Sequence, residues 1–509
     1  MIGAKRRVHT VLLLAIVVLA GAFTDAATAA PSMPAPISAP ASASISAREP
    51  ADGPAADPVR EEVSFRSHGL TLRATVVAPA TTAGRGTGTA SRHPGVVLVH
   101  GSGPGPREEY MPEAEAFARA GIAALVYDKR TVGYSHLHRD FPLLADDARA
   151  AMETLRARGD VDPAEVGLWG FSEGGWVAPL AATKAPGTAF LITVGGPGVT
   201  PLRAQTWSLG NQLRHGHVSG SIRDAVTVPA AHLLSGAGLF PAADYDPVPV
   251  LEHVRPPVLA LWGEYDTQVP PRESAQVFRQ TLARAGNRHV TIRFVPGAGH
   301  NGHRTKDGFE KLGGPVVDGK PLGALGPGYA DVMTSWVRAV AAGQPPVSSA
   351  TSPPRQEFTS RAATTGAWYE SISLQYAVLA LFLVAFAGYP VIAGVRRITG
   401  HRGRPAASRP ALWLAATGAA AVAGTLTFMT SVFALGGKSV TPFVLGRPLP
   451  WIVLQALALA VVVATAATGL SWWRARHEVN GTIRIRLALL LTAGTVFVPW
   501  ALYWRLLLP

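Results

Sequence analysis

The pentapeptide Gly170-Phe171-Ser172-Glu173-Gly174 follows the apolar run Val166 to Gly170 and precedes an apolar, helix-forming stretch. A hydroxyl between a strand and a helix sits on a sharp turn, where small flanking residues relieve the crowding. Ser172 is therefore the candidate nucleophile. A serine hydroxyl attacks only when a base takes its proton and a third group orients that base. Asp266 follows the apolar run Val258 to Trp262 in Gly263-Glu264-Tyr265-Asp266, and His300 follows Thr291 to Val295 in Pro296-Gly297-Ala298-Gly299-His300. Asp266 is the expected acid and His300 the expected base, with Glu264 and His303 as the second choices for those roles.

Acyl transfer also develops negative charge on the carbonyl oxygen, and fixed backbone N–H donors each stabilise it by about 3 kcal/mol. The Gly-rich segment His100-Gly101-Ser102-Gly103-Pro104 follows another apolar run. The backbone N–H groups of Ser102 and Glu173 are the expected oxyanion donors. Glu173 opens a helix, where negative charge is favoured by the dipole, so its carboxylate need not contact substrate. With no cysteine in the chain, thiolate metal sites, disulfides and a cysteine nucleophile are excluded. His136-x-His138 lacks carboxylates at ligand spacing and reads as a solvated loop. No metal and no cofactor are expected.

These residues need rigid elements to bring them together. Between residues 61 and 342, runs suited to buried strands alternate with helical segments: a hairpin over Ser67-His68-Gly69, strands at Gly95 to His100, Ala123 to Tyr127, Val166 to Gly170, Phe190 to Val194, Val258 to Trp262 and Thr291 to Val295, and a closing helix at Tyr329 to Ala341. This alternation predicts an α/β fold, a mostly parallel sheet with helices on both faces. Residues 199–254 form the expected cap. Its Leu202, Trp207, Leu209, Leu213, Leu233 and Leu234 would either wall a pocket or pack cap against body.

The segment Gly95 to Ala181, with His100-Gly101-Ser102-Gly103-Pro104, Tyr127-Asp128-Lys129-Arg130 and Gly170-Phe171-Ser172-Glu173-Gly174-Gly175, resembles the α/β-hydrolase superfamily. More narrowly, it is similar to bacterial serine hydrolases grouped with esterases and prolyl-oligopeptidase-like or aminopeptidase-like enzymes. The resemblance covers residues 61–342 and implies Ser172 as nucleophile, Asp266 as acid and His300 as base. In those relatives Asp-Lys-Arg is usually followed by glycine, whereas this chain continues Thr131-Val132-Gly133-Tyr134-Ser135.

Both ends of the chain read differently. Residues 1–30 carry Lys5, Arg6 and Arg7, an apolar run from Val11 to Ala22 and the small-residue stretch Ala27-Thr28-Ala29-Ala30. This is the layout of a signal peptide, with an uncleaved anchor as the other reading; residues 31–60 follow as an Ala/Pro/Ser-rich linker. After a second linker at 343–372, residues 373–509 hold four uncharged apolar stretches, Leu374 to Val395, Ala411 to Leu435, Trp451 to Trp473 and Leu487 to Trp504. Each has the length of a transmembrane helix, and the whole region reads as an all-α bundle of four. A mean hydropathy of +0.20 agrees with contact with lipid.

Of the 46 Lys and Arg against 33 Asp and Glu, many lie between these spans. Arg396, Arg397, Arg402, Arg404 and Arg409 fill the first connection and Arg474, Arg476, Arg484 and Arg486 the third, against Lys438 and Arg447 in the second. Positive loops stay in the cytoplasm, so everything before Leu374 is expected outside it, in agreement with the leader. The net charge of +13 is then largely topological, and nucleic-acid binding loses its support. The spans hold Gln375 and Gln455 but no Asp, Glu, Lys, Arg or His, which argues against an ion pathway and for an anchor or a partner-binding bundle. Gly418-Ala419-Ala420-Ala421 would allow helices to approach closely.

The combined expectation is a multi-pass cell-membrane protein with an extracytoplasmic serine hydrolase acting on a carboxylic ester or thioester of a small-molecule or peptide acyl substrate. The alternatives are a peptidase-like amide hydrolase, or an idle binding module whose spans engage a membrane-protein partner.

Overall fold

The computed structural model describes residues 57–80, 92–135, 137–361, 367–399, 408–437, 442–477 and 481–509. The expected signal peptide, nearly all of the 31–60 linker, His136, Arg402, Arg404 and Lys438 lie outside the described residues. The described residues divide into two compact units, one within 57–375 with 436–437 and one within 376–435 and 442–509.

The first unit is built on one sheet. Its strands are β1 (Val59–Ser67), β2 (Leu70–Ala78), β3 (His93–Val99), β4 (Ala123–Tyr127), β5 (Val161–Phe171), β6 (Leu191–Val194), β7 (Val258–Gly263) and β8 (Val290–Val295). A two-residue ribbon follows, β9 (Val316–Val317) with β10 (Lys320–Pro321), and then β11 (Ser349–Ala350). The main sheet runs β1-β2-β4-β3-β5-β6-β7-β8-β11. β1, β2 and β4 pair antiparallel, and every pairing from β4 through β3 to β11 is parallel. The β1–β2 turn places His68 at φ 48° and Gly69 at φ 78°, the two positive values that a tight hairpin of matching twist requires.

Parallel strands here are apolar on both faces because both faces are covered. In β3, Val97 and Val99 enter one core with Leu125, Leu168, Trp176 and Trp262. Val96 and Leu98 enter the other with Trp169, Phe190, Tyr329 and Trp336. Successive side chains point to opposite faces, so a strand without polar alternation reports helices on either side. The cap contains the helix Pro201–His215 and shorter turns to Leu251. Leu202, Leu209 and Leu213 are buried in packing, Trp207 is buried and also lines a pocket with Arg214, Arg223 and Phe358, and Leu233 and Leu234 are half-buried.

Within the segment assigned to the 343–372 linker, residues 349–360 make contacts with this unit. Ser349 and Ala350 lie in register with Thr291 and Ile292 of β8. Glu273 accepts from Ser360 N (2.8 Å) and pairs with Arg203 (2.6 Å), while Trp207 Nε1 donates to Phe358 O (3.2 Å). Two residues of strand in a Ser- and Pro-rich stretch leave no periodicity to read.

Among the described residues, four helices are long and apolar enough to cross a membrane, Ile372–Arg396, Arg409–Ala434, Leu449–Arg474 and Ile483–Tyr503. Their outward faces stay apolar: Leu459, Val463, Val384 and Val391 are each at least 60% exposed. In water such a surface would be an association hazard; in lipid it is the expected exterior. Leu383–Ala387 forms a π-turn within the first of these helices. A Cβ on Gly418 would lie 2.7 Å from the Phe386 ring, so this small residue does permit close approach.

Candidate active site

The turn carrying Ser172 is strained and tightly enclosed. Ser172 has φ 51°, a left-handed conformation that costs a non-glycine residue about 1–3 kcal/mol. The surroundings hold it there: Ser172 N donates to Val194 O (2.9 Å), and Gly175 N donates to Ser172 O (2.7 Å). A Cβ on Gly170 would stand 2.2 Å from Gly174 O, and one on Gly174 would stand 2.5 Å from Val99 O. The elbow therefore needs glycine at both positions for close approach, and the helix Gly174–Lys184 starts against the end of β3.

Asp266 and His300 come to this turn from the ends of β7 and β8. Tyr265 N donates to Ala298 O and Glu264 N to Val295 O (both 2.9 Å), so the two loops are laced together. His300 Nε2 lies 2.9 Å from Ser172 Oγ, and His300 Nδ1 lies 2.9 Å from Asp266 Oδ2. Asp266 Oδ1 accepts from Gln268 N and Val269 N (both 2.9 Å). Those two bonds leave Oδ2 for His300. The Asp266 and His300 side chains are 0% and 2% exposed, so they interact without competing water.

The second choices lie elsewhere. Glu264 is exposed, and its Oε2 accepts from Gly297 N (2.9 Å), bracing the His300 loop without touching the imidazole. His303 is buried with both nitrogens facing acceptors, Nε2 toward Glu113 Oε1 (2.7 Å) and Nδ1 toward Leu322 O (2.9 Å). Burial alone would lower its pKa, but the Glu113 carboxylate and the Leu322 carbonyl outweigh that and hold it above its ordinary value. His303 is thus a charged strut between the His300 loop and the helix Met111–Arg119. His138 is exposed, and Thr131, where the chain departs from its relatives' pattern, lies on the same exposed loop. Among the described residues, no group of three or more His, Asp or Glu side chains is placed to hold a metal ion.

The loop after β3 adjoins the elbow: a Cβ on Gly101 would lie 2.8 Å from the Phe171 ring and 3.5 Å from Ser172 Cβ. Gly101 N donates to Tyr110 Oη (3.0 Å) and Gly103 N to Tyr134 Oη (2.9 Å). The two N–H groups flanking Ser102 are thus committed, and Ser102 lies exposed between them. His100 anchors the loop from below through Nε2 to Tyr127 O. Burial, and then the Lys129 charge, lowers its pKa to about 3, so this imidazole is neutral.

The sequence reading missed the partners of Glu173. Its side chain is 1% exposed and takes Lys129 Nζ at 2.6 Å and Tyr134 Oη at 2.8 Å, with Arg139 Nε at 3.4 Å. Lys129 was visible as part of Tyr127-Asp128-Lys129-Arg130, and an amine closing an apolar strand requires a buried partner. Its neighbours are structural in the same way: Asp128 pairs with Arg107 (2.7 Å) and Arg130 with Asp147 (2.6 Å).

A hydroxyl, an imidazole and a carboxylate meet at the ends of β5, β7 and β8, in a sheet whose parallel strands run β4-β3-β5-β6-β7-β8. Residues 144–312 match the model of the prolyl oligopeptidase family. The domain has the α/β-hydrolase fold. Two curated proteins of Mycobacterium tuberculosis, both described as uncharacterized, are 30% identical to the chain over 212 residues, 42% of this chain and 65% of theirs. The chain thus spans just under two thirds of the length of these relatives. The crystal structure of 2,6-dihydroxy-pseudo-oxynicotine hydrolase overlaps 57% of this chain and 70% of its own, at 18% identity and a TM-score of 0.39. A dienelactone hydrolase from Anabaena variabilis overlaps 56% and 98% at 20% identity and a TM-score of 0.34. Pyrococcus horikoshii acylaminoacyl peptidase overlaps 48% and 38% at 18% identity and a TM-score of 0.36.

Proposed function

We propose that the chain is a membrane-anchored serine hydrolase of carboxylic esters or thioesters, with the α/β-hydrolase domain on the extracytoplasmic side. The observation that carries this reading is the continuous chain from Ser172 Oγ through His300 to Asp266, with both links at 2.9 Å. In the first half-reaction, His300 Nε2 takes the Ser172 proton as Oγ attacks the acyl carbon. The N–H groups of Ser102 and Glu173 receive the developing oxyanion, and Asp266 supports the imidazolium. The tetrahedral adduct collapses as His300 gives its proton to the departing alcohol or thiol. Water then repeats the sequence on the acyl-enzyme, releasing the acid and regenerating Ser172. None of these steps requires a metal or an organic cofactor.

Orientation rests on the arginines of the first and third inter-span connections and on the leader-like first 30 residues. A second reading, cleavage of amides, draws on the match of residues 144–312 to the prolyl oligopeptidase family. Fluorophosphonate labelling of membranes holding the full chain tests the central claim. Wild type labels, Ser172→Ala does not, and labelling that survives the substitution refutes Ser172 as nucleophile. A panel of short acyl esters and aminoacyl amides then separates the two readings by kcat/KM.

A further inference from the structure

The buried cluster beside the elbow has no assigned part in the reaction. Lys129 Nζ has three acceptors, Glu173 Oε1 (2.6 Å), Tyr134 Oη (2.9 Å) and Gly101 O. Three donors serve them, as the ammonium form supplies; burial lowers the Lys129 pKa and the Glu173 carboxylate opposes that. Tyr134 Oη accepts from Lys129 and from Gly103 N and donates its proton to Glu173 Oε1. The cluster thus grips the carbonyl of Gly101 and the N–H of Gly103, the residues on either side of Ser102. It also grips the side chain of Glu173, the residue after Ser172. These attachments bear on both backbones that carry the proposed oxyanion donors.

We propose that Lys129, Tyr134 and the Glu173 carboxylate are positioning residues that set the spacing between the Ser102 and Glu173 N–H groups, so that both meet the same oxyanion. This rests on the hydrolase reading above and extends it to residues that touch no substrate. The location of the cluster supports the assignment. Taking a charged pair out of water is costly and gives weak stability in return, yet Lys129 and Glu173 are 3% and 1% exposed. A pair kept at such cost beside the nucleophile serves geometry, because its bonds are short, directional and protected from exchange with water.

Two variants of the full chain in detergent test this. Tyr134→Phe removes the acceptor of Gly103 N–H while keeping the ring. The double variant Lys129→Met/Glu173→Gln removes the two most buried charges together, which spares the fold an unpaired Lys129 or Glu173 and leaves Arg139, 12% exposed, as the cation that loses its carboxylate. In each, kcat toward the ester that wild type cleaves best falls about 10- to 100-fold, while KM stays within about threefold. Affinity for a phenylboronic acid, whose tetrahedral serine adduct places an oxygen among the donors, falls in parallel with kcat. The pH dependence of kcat/KM keeps its wild-type shape. A merely structural role would lower the amount of folded enzyme and leave kcat per labelled Ser172 and boronate affinity unchanged. Wild-type kcat and boronate affinity in both variants overturn the brace and leave the hydrolase reading intact. A wild-type chain that neither turns over acyl substrates nor takes the fluorophosphonate refutes the hydrolase reading itself, and the brace falls with it.

Discussion

Replacing Asp266 by Asn isolates the electrostatic and tautomeric part of the site. Asp266 Oδ1 accepts two backbone N–H groups, from Gln268 and Val269 at 2.9 Å, and an amide nitrogen cannot do so. The Asn oxygen must therefore occupy that position, which turns the NH2 group toward His300 Nδ1 at the place of Oδ2. A donor there forces Nδ1 to accept, so the proton moves to Nε2, the nitrogen that must take the proton from Ser172. By analogy with this exchange in serine proteases, the loss is about 10⁴-fold in kcat, or roughly 5 kcal/mol of transition-state stabilisation. The two N–H bonds survive, so the melting temperature should move by no more than about 4 °C, the effect of roughly 1 kcal/mol in a large domain. Initial rates on an activated ester, normalised to folded protein and paired with the fluorophosphonate labelling rate, give the measurement. A loss under about tenfold in a folded variant refutes the argument, because the imidazole would then be oriented by something other than Asp266.

The chain has no natural cysteine, so single introduced thiols report topology directly: in intact cells a membrane-impermeant maleimide labels Thr131→Cys and spares Arg476→Cys, and the reverse pattern overturns the orientation. Stability also carries a pH signature from His100. Its folded pKa of about 3 lies below the 6.5 of an unperturbed imidazole, so its contribution is complete above about pH 6.5 and is lost as pH falls toward 3, in total roughly 5 kcal/mol at about 1.36 kcal/mol per decade. His303 works in the opposite sense: its raised folded pKa gives stability below its unfolded value that fades as pH rises through the folded one. Melting of the full chain in detergent should thus weaken on acidification from pH 6.5 to 4, and His100→Asn should flatten that slope; an unchanged slope excludes burial of a neutral His100 as its source.

Short motifs and apolar runs made most of the hydrolase domain legible. Strands buried on both faces are continuous runs such as Val96-Val97-Leu98-Val99, and their alternation with helices implied the parallel sheet directly. The meeting of Ser172, Asp266 and His300 was legible for a related reason. In a parallel sheet the loops after the strands gather on one edge, so residues far apart in the chain meet when each follows a strand. The four apolar helices were readable from length and lack of charge alone. What escaped was whatever depends on a partner remote in sequence. The two-residue strand Ser349–Ala350 is defined by its pairing with Thr291 and Ile292, and no local propensity specifies it.

Glu173 shows the same limit inside the site. At the start of a helix a glutamate already has a local explanation in the dipole, and that explanation hides its pairing with Lys129, 44 positions earlier. The two effects can be ranked. The dipole is worth about 0.3–1 kcal/mol to an exposed carboxylate, whereas an isolated buried carboxylate would cost several kcal/mol. With the side chain 1% exposed, the dipole is too small to account for an ionised Glu173, and a buried cation is required. Lys129, whose sequence neighbour Asp128 is taken by Arg107, is the matching half of the same problem. Lys129 after β4 and Glu173 after β5 meet across the end of β3, so each of these buried charges of opposite sign answers the other.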